Sequence, residues 1–112
     1  MTIKRGFIYF AALDPTQGSE INKTRPVFVI SNDINNQYSN TVTIIPITSN
    51  TKAVRAFEVF VPRYEGNLPK DSKIKCDQIR TIDKTRILNE VGELSDRFIA
   101  DIETALRKHL DI

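Results

Sequence analysis

The chain has 112 residues, with 16 Lys and Arg against 14 Asp and Glu, so its formal net charge is +2. Hydrophobic residues make up 40% and charged residues 27% of the sequence, as in globular chains and unlike disordered ones. This length fits one domain of residues 1–112, since most domains run about 100–150 residues. No stretch approaches the ~20 apolar residues of a transmembrane helix, and the start of the chain lacks the pattern of a signal peptide. We therefore expect a cytoplasmic protein without a membrane attachment.

Cysteine and histidine each occur once, as Cys76 and His109. A single cysteine excludes an internal disulfide and a zinc site built from several cysteines, and a single histidine excludes a histidine-pair metal site. We expect Cys76 to be packed or exposed without a catalytic role, and His109 to be structural or solvated. Nucleotide-binding glycine loops and a G-x-S-x-G elbow are absent from the sequence. We therefore expect no metal and no cofactor.

The charge is unevenly distributed along the chain. Residues 1–86 contain 13 Lys and Arg against 8 Asp and Glu, whereas residues 87–112 contain 3 against 6. A basic body suits a polyanionic partner, because Lys and Arg displace counterions from phosphates. An ordinary solvated surface would explain the same numbers.

Short apolar segments alternate with polar loops in the first part of the chain. Residues 7–13 predict a strand rich in aromatic and β-branched residues, and the polar loop 14–24 is long enough to suggest a function. Residues 26–30 predict a second strand, buried on both faces because its apolar residues do not alternate with polar ones. A capping signal then precedes a short helix over residues 34–39.

Further strands follow in the middle of the chain. Residues 41–45 predict a third strand, which Pro46 should interrupt at an edge or bulge because proline lacks the backbone N–H of a ladder. Residues 57–61 predict a fourth strand, and residues 62–71 predict a turn region.

The last part of the chain predicts one or two strands over residues 72–83 and a short strand over residues 87–94, broken at Gly92. Residues 95–109 then predict an amphipathic helix with Ser95 as its N-cap. Several short strands followed by one long helix favour a small, mostly antiparallel barrel or curled sheet with an appended C-terminal helix.

Three polar clusters are candidates for chemistry. The first ends at Arg25, which Pro26 biases toward an extended conformation at the junction of a loop and a strand, a placement that suits an anion clamp. The second offers the hydroxyls of Thr48 and Ser49 beside the predicted bulge. Residues 77–83 form the third. Taken singly, each cluster is explained as well by a turn or a surface ion pair.

Within the third cluster, Gln78 and Arg80 should share one face if the segment is a strand with a period of two.

Motifs in a consistent order extend over nearly the whole sequence. They are Lys4-Arg5-Gly6, Leu13-Asp14-Pro15, Gly18-Ser19-Glu20, Arg25-Pro26, Val29-Ile30-Ser31-Asn32-Asp33, Pro46-Ile47-Thr48-Ser49 and Gln78-Ile79-Arg80-Thr81-Ile82-Asp83. In this order and spacing they resemble the MazF/PemK family of toxin endoribonucleases from toxin–antitoxin pairs.

The resemblance implies a mainly β, SH3-like barrel of the plasmid-maintenance-toxin type with a C-terminal helix, acting as a homodimer. It also implies metal-independent cleavage of single-stranded RNA (mRNA) through attack of a ribose 2′-hydroxyl. The essential arginine and threonine of the family fall on Arg25 and Thr48. The residues expected to bind RNA are Ser19, Glu20, Ser49, Gln78 and Arg80. A MazE-like antitoxin would insert an extended acidic tail into the same groove.

Two other functions remain open for a chain of this kind. The same barrel occurs in a non-catalytic toxin that poisons DNA gyrase by protein contact, and fold alone does not fix function. A plain RNA-binding barrel is the second alternative. Within the nuclease hypothesis the general base is also open, since Glu20 suits either that role or the reading of a base edge.

Overall fold

A computed structural model describes residues 1–112 without a gap. Its strands are β1 (Phe7–Ala12), β2 (Thr24–Val29), β3 (Thr41–Thr48), β4 (Glu58–Val61), β5 (Ser72–Lys75), β6 (Arg80–Asp83) and β7 (Ile87–Glu93). Its helices are α1 (Asp33–Tyr38) and α2 (Asp96–Leu110), with 3-10 turns at Glu65–Asn67, Cys76–Gln78 and Lys84–Arg86. Neither α-helix is long and apolar enough to cross a lipid bilayer.

All strand pairs are antiparallel, and the strands follow the order β4-β5-β3-β2-β1-β7. Strand β6 pairs with the first half of β3, whereas β5 pairs with its end. Strand β3 is therefore shared by two parts of a curled sheet. The expected barrel-like sheet with a C-terminal helix is confirmed, and residues 72–83 form two strands separated by a 3-10 turn.

Side chains on the two faces of the sheet pack into two separate apolar cores. Phe28 and Ile45 enter the core that also holds Ile102 of α2, whereas Val27 and Ile44 enter the core on the other face. Successive residues of a strand point to opposite faces, so neighbouring apolar residues can be buried in different cores. This arrangement confirms the prediction of a second strand buried on both faces.

Strand β3 continues through Pro46, so the predicted interruption of the strand is wrong. On one edge, β3 pairs with β6 up to Ile44 and with β5 from Ile47 onward. Pro46 lies in the gap between these two partners, where no neighbouring strand requires its missing N–H. The proline is therefore tolerated inside a central strand.

The break predicted at Gly92 does not occur. Strand β7 runs through Gly92 and pairs it with Ile8. The turn after β4 approaches so closely here that a Cβ on Gly92 would lie 2.5 Å from the carbonyl oxygen of Gly66. Glycine is required at this position for contact between two backbones.

The predicted helix is confirmed, but Ser95 does not cap it as expected. Ser95 occupies the N-cap position in an extended conformation, yet its hydroxyl accepts no hydrogen bond from the helix. It donates instead to Glu65 Oε1, which also accepts from the Ser95 backbone N–H at 2.7 Å. The start of α2 is thus tied to the turn after β4.

Replacement of Gly92 tests the backbone contact. Gly92→Ala should lower the free energy of unfolding in urea by about 1–3 kcal/mol, since the added methyl group meets backbone that cannot move aside. Glu90→Ala, at an exposed position of the same strand, is the control and should change it by less than about 0.5 kcal/mol. Equal effects of the two substitutions would contradict the account.

Candidate functional site

Arg25 and Thr48 lie on the neighbouring strands β2 and β3, each next to a loop. The ladder between these strands ends at the pair Val27 and Pro46, so Arg25 and Thr48 each lie two residues beyond its last pair. Because side chains alternate along a strand, Arg25 shares a face with Val27 and Thr48 shares a face with Pro46. Both residues therefore lie on the same face, at the same end of two adjacent strands.

Both side chains keep hydrogen-bond donors free for a ligand. Arg25 is half-buried, and its Nε donates to the carbonyl oxygen of Asn22 at 2.8 Å. The ion pairs of the chain join other residues, so no carboxylate neutralises Arg25. Thr48 Oγ1 accepts from the Asn50 N–H at 3.2 Å, which leaves the hydroxyl hydrogen available. An anion between these groups would meet several donors.

A cleft of about 350 Å³ contains four of the other predicted residues. It is lined by Ser19, Glu20, Asp77, Gln78, Ile79 and Arg80. Arg25 and Thr48 do not line this cleft, and Ser49 is exposed directly after β3. The predicted residues thus fall into two groups, and the β1–β2 loop (residues 13–23) connects them because it carries one wall of the cleft and ends next to Arg25. No group of three or more His, Cys, Asp or Glu side chains is placed to hold a metal ion.

Gln78 holds the β1–β2 loop against the rest of the molecule. Its Oε1 accepts from the Ile21 N–H at 2.9 Å, and its Nε2 donates to the Ser19 carbonyl oxygen at 3.1 Å. The expectation that Gln78 and Arg80 share a strand face is wrong, because Gln78 ends a 3-10 turn and β6 begins at Arg80. The turn nevertheless directs both side chains to the same cleft.

The base of the β1–β2 loop is held by a second side chain. Arg86 Nη1 donates to the carbonyl oxygens of Ala12 at 3.2 Å and Asp14 at 2.5 Å. Within the loop, Glu20 Oε1 accepts from the Gln17 N–H at 2.5 Å. Side chains from β6 and its flanking turns thus fix both parts of the loop, while the carboxylate of Glu20 stays exposed.

Asp77 also lines the cleft; the sequence placed it in the third cluster but did not mark it as a residue that contacts RNA. Its Oδ1 is shielded from solvent and has no hydrogen-bond partner, an arrangement that is costly unless a ligand completes it. Strand periodicity assigns Asp77 to the face opposite Gln78, and only the 3-10 turn brings both residues to the cleft wall. The sequence pattern of residues 77–83 thus predicted side-chain directions with the period of a strand, whereas Cys76–Gln78 form a 3-10 turn.

Cys76 is buried in the fold and His109 is exposed near the end of α2, positions that agree with the packed cysteine and solvated histidine expected from the sequence. Burial, together with the nearby carboxylates of Asp77 and Glu58, raises the pKa of the Cys76 thiol to about 12, so the thiol is protonated at neutral pH. His109 is exposed near the end of α2, with its ring 5.8 Å from that of Phe57. Neither residue lines the cleft.

Removing the Gln78 amide should loosen the β1–β2 loop. In Gln78→Ala, we expect the Ile21 amide to exchange with solvent about fivefold faster, the effect of losing one hydrogen bond of ~1 kcal/mol. NMR-detected hydrogen exchange measures this rate. The Leu13 amide, which donates to Lys23 O at 3.0 Å, serves as the control in the same spectrum. Unchanged exchange at Ile21 would show that Gln78 does not hold the loop.

The buried thiol can be tested by alkylation. Because the raised pKa keeps Cys76 protonated, iodoacetamide at pH 8 should leave the folded chain unmodified and label it fully after unfolding in urea. Mass spectrometry distinguishes the two forms. Rapid labelling of the folded chain would contradict both the burial and the direction of the pKa change.

Comparison with known proteins agrees with this architecture. A family model described as "PemK-like, MazF-like toxin of type II toxin-antitoxin system" matches residues 4–110. The chain is similar to Endoribonuclease MazF9 of Mycobacterium tuberculosis (strain ATCC 25618 / H37Rv), with 36% identity over 98% of each chain. It is also similar to Endoribonuclease EndoA of Bacillus subtilis (strain 168), with 39% identity over 96% of this chain and 93% of that relative.

Among solved structures, MazF from Deinococcus radiodurans has the same fold, with a TM-score of 0.88 at 23% identity, over 100% of this chain and 99% of that one. The family model covers almost every residue described above, including both loops and the ends of β2 and β3. The chain therefore belongs to the PemK/MazF family of type II toxin–antitoxin toxins.

Proposed function

We propose that this chain is an endoribonuclease that cuts single-stranded RNA, including mRNA, at short sequence motifs, and that it acts as the toxin of a toxin–antitoxin pair in the cytoplasm. Cleavage needs no metal ion and no cofactor. It stops translation and growth by destroying mRNA. Residues 1–112 act as one PemK/MazF-like domain. The family membership of the chain and the names of its curated relatives support this proposal.

The observation that carries the proposal is the register between β2 and β3. It supports an anion site made of the unneutralised guanidinium of Arg25 and the hydroxyl of Thr48. Arginine suits phosphate because its planar fork donates two parallel hydrogen bonds to two phosphate oxygens. Such a site complements the negative charge of one bridging phosphate of RNA.

The reaction is an attack of a ribose 2′-oxygen on the adjacent phosphorus. The bond between phosphorus and the 5′-oxygen of the next nucleotide breaks, which leaves a cyclic phosphate on one fragment and a 5′-hydroxyl on the other. Arg25 stabilises the dianionic phosphorane and delivers the proton to the departing 5′-oxygen. Thr48 holds the phosphate or orients the 2′-hydroxyl through its own hydroxyl group.

The proton of the 2′-hydroxyl needs an acceptor other than Arg25, since a protonated guanidinium has no lone pair that could take up a proton. Glu20 and Asp77 are the two carboxylates of the cleft. Glu20 is exposed and suits either proton transfer or base reading, whereas the Oδ1 atom of Asp77 is shielded from solvent and is less suited to either role.

RNA follows the cleft and the ends of β2 and β3 in this proposal. The residues assigned to RNA contact are Ser19, Glu20, Ser49, Gln78 and Arg80. In the free chain the amide of Gln78 is occupied by the loop, so direct reading of a base by Gln78 requires exchange of those two hydrogen bonds. Arg80 remains half-buried at the cleft wall and supplies positive charge.

Two protein partners complete the proposal. The chain acts as a symmetric homodimer, and a cognate MazE-like antitoxin inhibits it by laying an extended acidic tail in the same groove. The family description as one component of a toxin–antitoxin system supports the second partner. An acidic tail would compete with phosphates for Arg25, because both present negatively charged oxygen atoms.

The alternatives are less well supported. A gyrase poison has no need of an unneutralised arginine beside a hydroxyl, and both curated relatives are named endoribonucleases. Incubation of the chain with end-labelled RNA in EDTA separates all three functions. A nuclease cuts the RNA, a plain RNA-binding barrel binds it uncut, and a gyrase poison does neither.

Arg25 provides the sharpest test. Arg25→Ala should lower kcat for cleavage of single-stranded RNA by about 10²–10³, the cost of removing one donor that stabilises transition-state charge. Thr48→Val should also lower kcat, whereas Thr48→Ser keeps the hydroxyl and should retain most of it. The measurement is cleavage of a fluorogenic RNA in EDTA.

The matched control is Arg63→Ala, which removes an arginine that stacks on the exposed ring of Tyr64, outside the cleft. It should cleave at a rate close to that of the wild type. Circular dichroism must show that Arg25→Ala stays folded. A folded Arg25→Ala protein that cuts RNA at the wild-type rate would overturn the proposed role of Arg25.

A further inference from the structure

A buried ion cluster lies beneath the loop that follows Thr48. The side chain of Glu58, at the start of β4, is 1% exposed, and it pairs with Lys73 at 3.3 Å and with Lys75 at 3.0 Å. Burial by itself raises the pKa of a carboxyl group, but the hydrogen bonds from Arg55, Lys75 and Lys73 outweigh it and hold the pKa of Glu58 below its usual value. The carboxylate of Glu58 is therefore ionised at neutral pH.

The cluster binds the backbone of the β3–β4 loop (residues 49–57). Lys73 Nζ donates to the Ala53 carbonyl oxygen at 2.6 Å, and Glu58 Oε1 accepts from the Arg55 N–H at 2.9 Å. The Glu58 N–H returns a hydrogen bond to the Arg55 carbonyl oxygen at 3.0 Å. These contacts tie the exposed middle of the loop to the strands β4 and β5.

The anchor lies next to the proposed reaction site. Lys73 is the residue of β5 directly opposite Thr48 of β3. The loop anchor and the Thr48 hydroxyl therefore lie on neighbouring strands. The loop also starts at Thr48, since the Asn50 N–H donates to Thr48 Oγ1. Movement of the loop is therefore coupled to the surroundings of Thr48.

Stability alone does not account for this cluster. A buried ion pair usually contributes no more than apolar residues of the same volume, because desolvation offsets most of the attraction. The β3–β4 loop carries two exposed cations, Lys52 and Arg55, and neither forms an ion pair within the chain. A loop that must hold free cations close to a phosphate gains from an anchor of fixed geometry.

We propose that Glu58 and Lys73 are positioning residues that hold the β3–β4 loop so that Lys52 and Arg55 contact RNA phosphates beside Thr48. The inference rests on the proposed function, and it adds a second wall to the RNA groove. Lys75 balances the charge of Glu58 without touching the loop. The cluster thus acts on affinity for RNA through the loop, whereas Arg25 and Thr48 act on the chemical step.

Lys73 and Lys75 provide a matched pair of variants. Lys73→Met and Lys75→Met each remove one positive charge and one ion pair with Glu58, but only Lys73→Met also removes the bond to Ala53. We expect Lys73→Met to raise KM for single-stranded RNA about tenfold, the size of one lost charge-assisted hydrogen bond, with little change in kcat. Lys75→Met should raise KM distinctly less.

Combining Lys73→Met with substitutions of the loop cations distinguishes a positioning role of the cluster from a purely stabilising one. Lys52→Ala/Arg55→Ala should raise KM about tenfold in the wild type and reduce the salt slope of RNA binding by about 1.4, because each phosphate contact contributes ~0.7. In Lys73→Met, the same double substitution should change KM by less than about twofold, since the cations are already misplaced. Additive effects would show that the cluster only stabilises the fold and would overturn the proposal.

Hydrogen exchange of the Arg55 amide supplies a readout that does not depend on cleavage. It should become faster in Lys73→Met than in Lys75→Met, and equal rates would overturn the positioning role. If the wild type cleaves RNA but Lys73→Met and Lys75→Met have equal KM values, this inference is overturned and the proposed function is not. A wild-type chain that neither binds nor cuts RNA would overturn it together with the proposed function.

Discussion

In strand β2, Val27 and Val29 enter one apolar core while Phe28 enters the other. A slip of one residue against β3 would move each of these side chains to the wrong face, so the register is fixed from both sides of the sheet. Arg25 and Thr48 lie two residues beyond the last pair of this ladder, Val27 and Pro46. Hydrophobic packing thus fixes the strand ends from which the two proposed site residues project.

The two loops that border this site are held in a common way. Side chains from other elements bond to the loop backbone, with Gln78 and Arg86 at the β1–β2 loop and Lys73 at the β3–β4 loop. The side chains of Lys52 and Arg55 in the β3–β4 loop stay exposed and form no ion pair within the chain. Loops fixed on a rigid sheet in this way combine an exposed, variable surface with defined geometry.

Local pattern predicted most of the elements, because strand and helix periodicity depend on neighbours in sequence. It failed where a partner from elsewhere decides the outcome, as at Gly92, which needs the turn at Gly66, and at Ser95, which bonds to Glu65. Family resemblance pointed to Arg25 and Thr48, and the observed register is consistent with that expectation. The Glu58 cluster had no local signal, since its lysines are 15 and 17 residues away and join it only across the sheet.

The close backbone contact at Gly92 also affects the outer border of the sheet. Strand β7 ends the strand order, and a terminal strand of this kind can recruit strands from other molecules into aggregates. Here the turn at Gly66 lies against Gly92, and the amide of Asn67 donates to the Val91 carbonyl oxygen at 3.1 Å. The Val91 carbonyl oxygen is thus already paired within the chain, so an incoming strand would find one acceptor of β7 occupied.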